Sequence, residues 1–169
     1  MNNESQLLIK QAPVDSILRL VMNDQNSKNA LSNKMISALM DAIAFANNDN
    51  SIKVIVIASK GNVYSAGHDL KEITQARKAP DNGESFFKEL FRSCSVLMQA
   101  IVNSSKPVIA EVNGVATAAG CQLVASCDLA IASNNAKFAT PGVNIGFFAL
   151  LQWLLSQEIF IKRMRWKCF

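Results

Sequence analysis

The sequence holds a single histidine, and its four cysteines (Cys94, Cys121, Cys127 and Cys168) form no C-x-x-C pair. A Cys/His zinc centre or other metal site is therefore not expected, and the thiols read as reduced and mostly buried. No apolar run approaches bilayer-spanning length, and the opening "MNNESQ" lacks the basic and apolar layout of a signal peptide. Glu4 and Asp15 stand where a transit peptide avoids acids. The expectation is a soluble, cytoplasmic chain with no membrane partner. No G-x-G-x-x-G follows a strand-like run, which disfavours a dinucleotide-binding domain. The lone histidine likewise disfavours a serine peptidase.

Charge of one sign is scarce except at one end. The formal net charge is +4, yet Lys162, Arg163, Arg165 and Lys167 crowd into residues 161–169 with no acid among them. The rest is balanced and carries no basic footprint, so no nucleic-acid partner is expected. With 50% hydrophobic and 18% charged residues the composition is that of a globular domain rather than a disordered chain. A length of 169 residues suits one domain with a real core.

"SILRLVMN" alternates apolar and polar residues and predicts a strand paired with the preceding "QLLIK". Ser32 then reads as the N-cap of a helix in which Met35, Leu39, Ile43 and Ala46 recur at helical spacing. "KVIVIAS" is a continuous apolar run short enough for a buried strand, so strand, helix and strand imply a parallel crossover. Residues 61–73 read as a glycine-punctuated loop, and "TQARKAPDNGE" as polar, mobile surface chain. Phe87, Phe91, Cys94 and Met98 mark a long amphipathic helix from 85 to 102, ended by "NSSKP". "PVIAEV" predicts the next strand, followed by a turn, a helix at about 119–126 and a strand at "DLAIAS".

The turn is built of small residues. Asn113-Gly114 makes it tight, and Ala116, Ala118, Ala119 and Gly120 leave an open approach to the N–H groups at a helix start. Such a stretch suits an anion or oxyanion, although close helix-to-strand packing explains small residues equally well. A second small loop, "SAGHDL" at 65–70, follows the preceding buried strand. In a parallel sheet successive loops emerge at one edge, so the two could present backbone donors to a single site.

Four motifs, "SKNAL" (27–31), "YSAGHDL" (64–70), "VNGVATAAGCQLVASCDLAIAS" (112–133) and "AKFATPGVNIGF" (136–147), occur in that order and spacing. Together they resemble the enoyl-CoA hydratase/isomerase superfamily, the crotonases, over roughly residues 5–148. The resemblance implies an α/β fold of the ClpP/crotonase-like type, a spiral of repeated ββα units, and an acyl-CoA thioester as ligand, in fatty-acid metabolism. Coenzyme A would come as part of the substrate, with no other cofactor. The family's two oxyanion donors map onto the backbone N–H groups of His68 and Ala119. Its CoA-contacting positions map onto Lys28, Ala30, Ala66, His68, Asp69 and Leu70.

The family's hydratases also use two glutamates, which map onto Gln122 and Gly142. Gln122 can hold a water but cannot act as a general base near neutral pH, so two-glutamate hydration is not expected and enzymatic activity is left open. Non-catalytic acyl-CoA binding is the competing class. His68 titrates in a useful range, but is favoured as a backbone donor alone. Asp69 reads as a cap, Glu111 as a strand residue, Asp128 as a turn residue, and Tyr64 and Cys121 as packing.

After residue 147 the resemblance stops. The core is placed at 1–148, without the C-terminal helices of relatives, and 149–169 is a tail outside the family pattern. One codon choice for the tail, read one nucleotide out of phase, resembles the family's continuation, so a frameshift near Phe148 is inferred. The competing reading is a basic amphipathic helix for a membrane or partner. Intact relatives are implied to be homotrimers or hexamers, often mitochondrial; neither assembly nor activity is expected of a chain cut short in this way.

Overall fold

The computed structural model describes residues 6–142. The boundary at 148, the tail at 149–169 and its two readings lie outside the described residues. β1 (Leu8–Val14) and β2 (Ile17–Met22) form an antiparallel hairpin. Asp15 and Ser16 turn it with left-handed φ values of 50° and 64°, the twist that suits a two-residue hairpin turn. β3 (Val54–Ser59), β5 (Val108–Val112) and β7 (Leu129–Ala132) then add in parallel, in the order β1-β2-β3-β5-β7.

Helices cover this sheet because their apolar residues fall on one stripe. α1 (Asn33–Asn48) starts where the Ser32 hydroxyl accepts the Met35 N–H at 3.2 Å, and buries Met35, Ile36, Leu39, Ala42, Ile43 and Ala46. At its far end the Lys106 ammonium donates to the carbonyls of Ala46 and Asp49, which places a cation on the negative helix terminus. α3 (Glu84–Val102) packs on α1 and buries Leu90, Cys94, Leu97, Met98 and Ile101. These side chains join those of β2, β3 and β5 in one core, with Tyr64 fully buried inside it.

Two sheets are present where the sequence pattern predicts one. β4 (Val63–Ser65), β6 (Val115–Thr117) and β8 (Lys137–Ala139) pair in parallel as a second, three-stranded sheet. Each follows a strand of the large sheet, so the chain winds as strand, strand, helix. α2 (Leu70–Ala76) and α3 close the first unit and α4 (Ala119–Ser126) the second. That is the ββα spiral expected from the motifs. The short strands fall within stretches read as loop or turn, since three residues show no period. α2 also lies where a loop and surface chain are predicted; none of its residues is fully buried, so it carries no apolar stripe.

The polar stretch after α2 is organised by Asp81. Its carboxylate accepts the Ser85 hydroxyl and the N–H groups of Ser85 and Gly83. Those bonds, led by the hydroxyl, pull its pKa down to about 2. The apolar strand β7 lies at the sheet edge, with Leu129 50% and Ile131 64% exposed. Asp128 stands just before it and accepts the Val108 N–H at 2.8 Å, tying β7 to the start of β5.

Candidate functional site

The small sheet brings the two small-residue loops together. β4 and β6 are adjacent and parallel, with Val63 opposite Val115 and Ser65 opposite Ala116. Neighbouring strands lie about 4.8 Å apart, so the chain leaves both at the same edge. His68 comes just after β4 ends at Ser65, and Ala119 just after β6 ends at Thr117. The convergence belongs to this sheet, not to the large parallel sheet from which it is expected on sequence. Gly67 sets the spacing: a Cβ there would lie 2.9 Å from the Ala118 Cβ and 3.1 Å from the Ala119 nitrogen. Its φ of +85° also suits glycine.

Among the described residues, neither the His68 nor the Ala119 backbone N–H donates a hydrogen bond. At Ala119 the cause is the start of α4. Its N-cap is Ala118, which has no side chain to satisfy the first turn. The N–H groups of Cys121 and Gln122 turn back to the Ala118 carbonyl at 3.0 and 3.2 Å. Ala118 itself has φ 51° and ψ −124°, a region costly for a residue with a Cβ and frequent at functional sites. Its N–H is held by the Ala139 carbonyl of β8 at 2.9 Å, so the small sheet stabilises the strained turn.

The segment holding Lys28 and Ala30 runs beside the His68 loop. The Ala66 N–H donates to the Lys28 carbonyl at 3.1 Å and the Leu31 N–H to the Gly67 carbonyl at 2.7 Å. Lys28, Ala30, Ala66 and His68 are thus brought together. Asp69 is the N-cap of α2 and accepts the Lys71 N–H at 2.7 Å, while Leu70, 72% exposed, opens that helix. Two buttressing residues were assigned no such role from sequence. Asn29, 1% exposed, donates to the carbonyls of Lys60 and Val63 and accepts the Asp24 N–H. Asn113 donates to the carbonyls of Ser59 and Gly61. An asparagine inside each motif was the available signal: a side chain with donors and an acceptor can replace missing backbone bonds where a strand ends.

The His68 ring stands edge-on to Phe91 of α3, with centroids 5.8 Å apart and planes at 82°. Its Nδ1 is enclosed and meets no hydrogen-bond partner. Burial lowers the imidazole pKa, and the Leu31 backbone partly offsets this. The folded ring therefore takes a proton less readily than the unfolded one, whose pKa is about 6.5. The unfolded state binds more protons as pH falls through that value, so stability contributed by the neutral ring is present above it and is lost below. Denaturant unfolding at about pH 7.5 and pH 5.5 should show a larger loss for the wild type than for His68→Gln. Equal losses would remove the imidazole as the source.

Gln122 lies half-buried one helical turn beyond Ala119 on α4. Gly142 is half-buried and follows Ala139, the residue whose carbonyl holds Ala118. Neither supplies a carboxylate. Glu111 is engaged elsewhere, pairing with Arg19 at 2.5 and 2.9 Å across the large sheet. Cys121 is half-buried with its thiol pKa raised by burial. Among the described residues no cluster of three or more His, Cys, Asp or Glu side chains could hold a metal ion, and no helix is long and apolar enough to cross a membrane. What the arrangement offers chemically is a pair of preorganised N–H donors, suited to a carbonyl oxygen that gains negative charge.

A family model described as enoyl-CoA hydratase/isomerase matches residues 13–163, a span that runs past the described residues into the tail. The Xenopus laevis protein named enoyl-CoA hydratase domain-containing protein 3, mitochondrial, is 48% identical over 132 residues, covering 78% of this chain and 43% of the relative. The Escherichia coli 2,3-dehydroadipyl-CoA hydratase is 34% identical over 130 residues, covering 77% and 48%. The crystal structure of human enoyl Coenzyme A hydratase domain-containing protein 3 aligns with a TM-score of 0.79 at 38% identity, covering 94% of this chain and 64% of that one. The chain thus spans less than half the length of these curated relatives.

Proposed function

The chain belongs to the enoyl-CoA hydratase/isomerase family, and from that premise we propose that it binds an acyl-CoA thioester with the carbonyl oxygen on the N–H groups of His68 and Ala119. The observation that carries this reading is the pair of unpaired backbone donors at neighbouring ends of β4 and β6. Coenzyme A arrives as part of the substrate, along the segment of Lys28 and Ala30 and the loop of Ala66, His68, Asp69 and Leu70. Gln122 positions a water or the acyl group through amide hydrogen bonds. The reaction is not two-glutamate hydration, because residues 122 and 142 provide no carboxylate. A second reading, acyl-CoA binding without turnover, is favoured by that same loss.

Crotonyl-CoA tests this directly. The wild type should bind it in calorimetry, yet hydrate it no faster than buffer. The double variant Gln122→Glu with Gly142→Glu should gain hydration of about 100-fold over the wild type, the size of a general acid–base contribution. Absence of binding by the wild type would reject the reading. Fast hydration by the wild type would reject the exclusion of that chemistry.

A further inference from the structure

A thioester oxygen seated on two N–H groups makes the adjacent Cα–H bond acidic, and a base is needed to use that. The available groups narrow quickly. Glu111 pairs with Arg19 on another face, Asp69 caps α2, Asp128 holds the Val108 N–H, and Glu72 accepts the Asn33 N–H at 3.1 Å. Tyr64 is sealed in the core and Cys121 keeps its proton near neutral pH. The imidazole of His68 remains, and its geometry is specific. Phe91 fixes the ring plane by an edge contact, and Nδ1 is the enclosed nitrogen. Any exchange of a proton with a ligand therefore falls to Nε2, on the opposite side of the ring. A carbonyl oxygen about 2.9 Å from the His68 nitrogen places the acyl Cα within reach of the same residue's side chain.

We propose that His68 is a catalytic residue twice over: its backbone N–H holds the thioester oxygen, and Nε2 of its imidazole takes the Cα proton of the bound acyl group. This rests on the acyl-CoA reading above. In the step the Cα–H bond breaks, the proton passes to Nε2, and the electron pair moves through the Cα–C bond to the oxygen as an enolate held by His68 and Ala119. Return of a proton from the imidazolium to Cα restores the thioester, so no further reactant is consumed. Burial keeps the ring neutral at physiological pH, the form that accepts a proton. The ligand class is an acyl-CoA with a hydrogen at Cα, and Phe91 acts on the step only by positioning the ring.

The experiment is deuterium incorporation at Cα of butyryl-CoA in heavy water, read by mass spectrometry, beside calorimetric binding of the same compound to the full chain. Wild type should incorporate deuterium. His68→Gln, which keeps the backbone donor, should lose 100-fold or more of the rate while its dissociation constant shifts by a few-fold. In His68→Ala, added imidazole should restore part of the exchange, a rescue that a purely structural histidine would not show. Undiminished exchange in His68→Gln would overturn the proposal, as would a wild type that binds butyryl-CoA without exchanging it; the latter leaves the binding reading intact. A wild type that does not bind overturns the binding reading, and this inference falls with it.

Discussion

Gly114→Ala should destabilise the fold by about 3 kcal/mol, at the upper end for an overpacked site. An added Cβ would stand 2.1 Å from the Asn62 carbonyl oxygen and 2.5 Å from its carbon. Both are backbone atoms in the link between β3 and β4, and the Asn62 oxygen also accepts the Val115 N–H at 3.2 Å. Relief by a side-chain rotation is closed off, so one of the two connections between the sheets must move. Asn113 lies beside the clash and pins the same link through Ser59 and Gly61, which transmits the displacement to both. For a chain of this size the loss corresponds to roughly 10 °C in the unfolding midpoint. A midpoint within about 2 °C of the wild type would show that the close approach is not needed.

The large sheet and its two covering helices could be read because each element is long enough to show a period. Met35, Leu39, Ile43 and Ala46 are buried at helical spacing behind a Ser32 cap, as the pattern predicts, and "KVIVIAS" contains β3. The small sheet could not be read. Val63–Ser65, Val115–Thr117 and Lys137–Ala139 are three-residue strands whose pairing depends on neighbours far apart in sequence, and local propensity says little about such contacts. α2 escaped because a seven-residue helix with no fully buried residue is defined by its cap at Asp69, not by a stripe.

The candidate site was legible through small residues and motif order, which named His68 and Ala119 but not the device that joins them. That device is the adjacency of β4 and β6 together with Gly67. The buttressing asparagines were passed over for a related reason. Asn29 and Asn113 bond to backbone carbonyls about thirty to fifty positions away, so their value depends on a fold that composition cannot show. The imidazole changed its standing most. Read as a rim residue contributing a backbone donor, His68 proves to hold an enclosed ring nitrogen and an edge contact with Phe91. Both are long-range consequences of where α3 crosses the loop.

Gly67→Val should erase the preference for a thioester over free coenzyme A while leaving a folded chain. The variant places a β-branched side chain at φ +85°, where such residues are strongly disfavoured, and drives its Cβ against the Ala118 Cβ, the Ala119 nitrogen and the Thr117 carbonyl. The His68 loop must then retreat from the start of α4, so one oxygen can no longer meet both N–H groups. Coenzyme A without an acyl group has no carbonyl at that point, so its binding depends on the neighbouring loop rather than on the donor pair. A neutral hydrogen bond is worth about 1 kcal/mol, and 1.4 kcal/mol is tenfold in affinity. The ratio of the dissociation constants of coenzyme A and butyryl-CoA, measured by calorimetry, should therefore fall about tenfold or more. The backbone strain adds about 1–3 kcal/mol of lost stability, less than unfolds a typical domain, and circular dichroism separates that loss from the binding effect. A folded Gly67→Val chain that keeps the wild-type ratio would show that the thioester oxygen sits elsewhere.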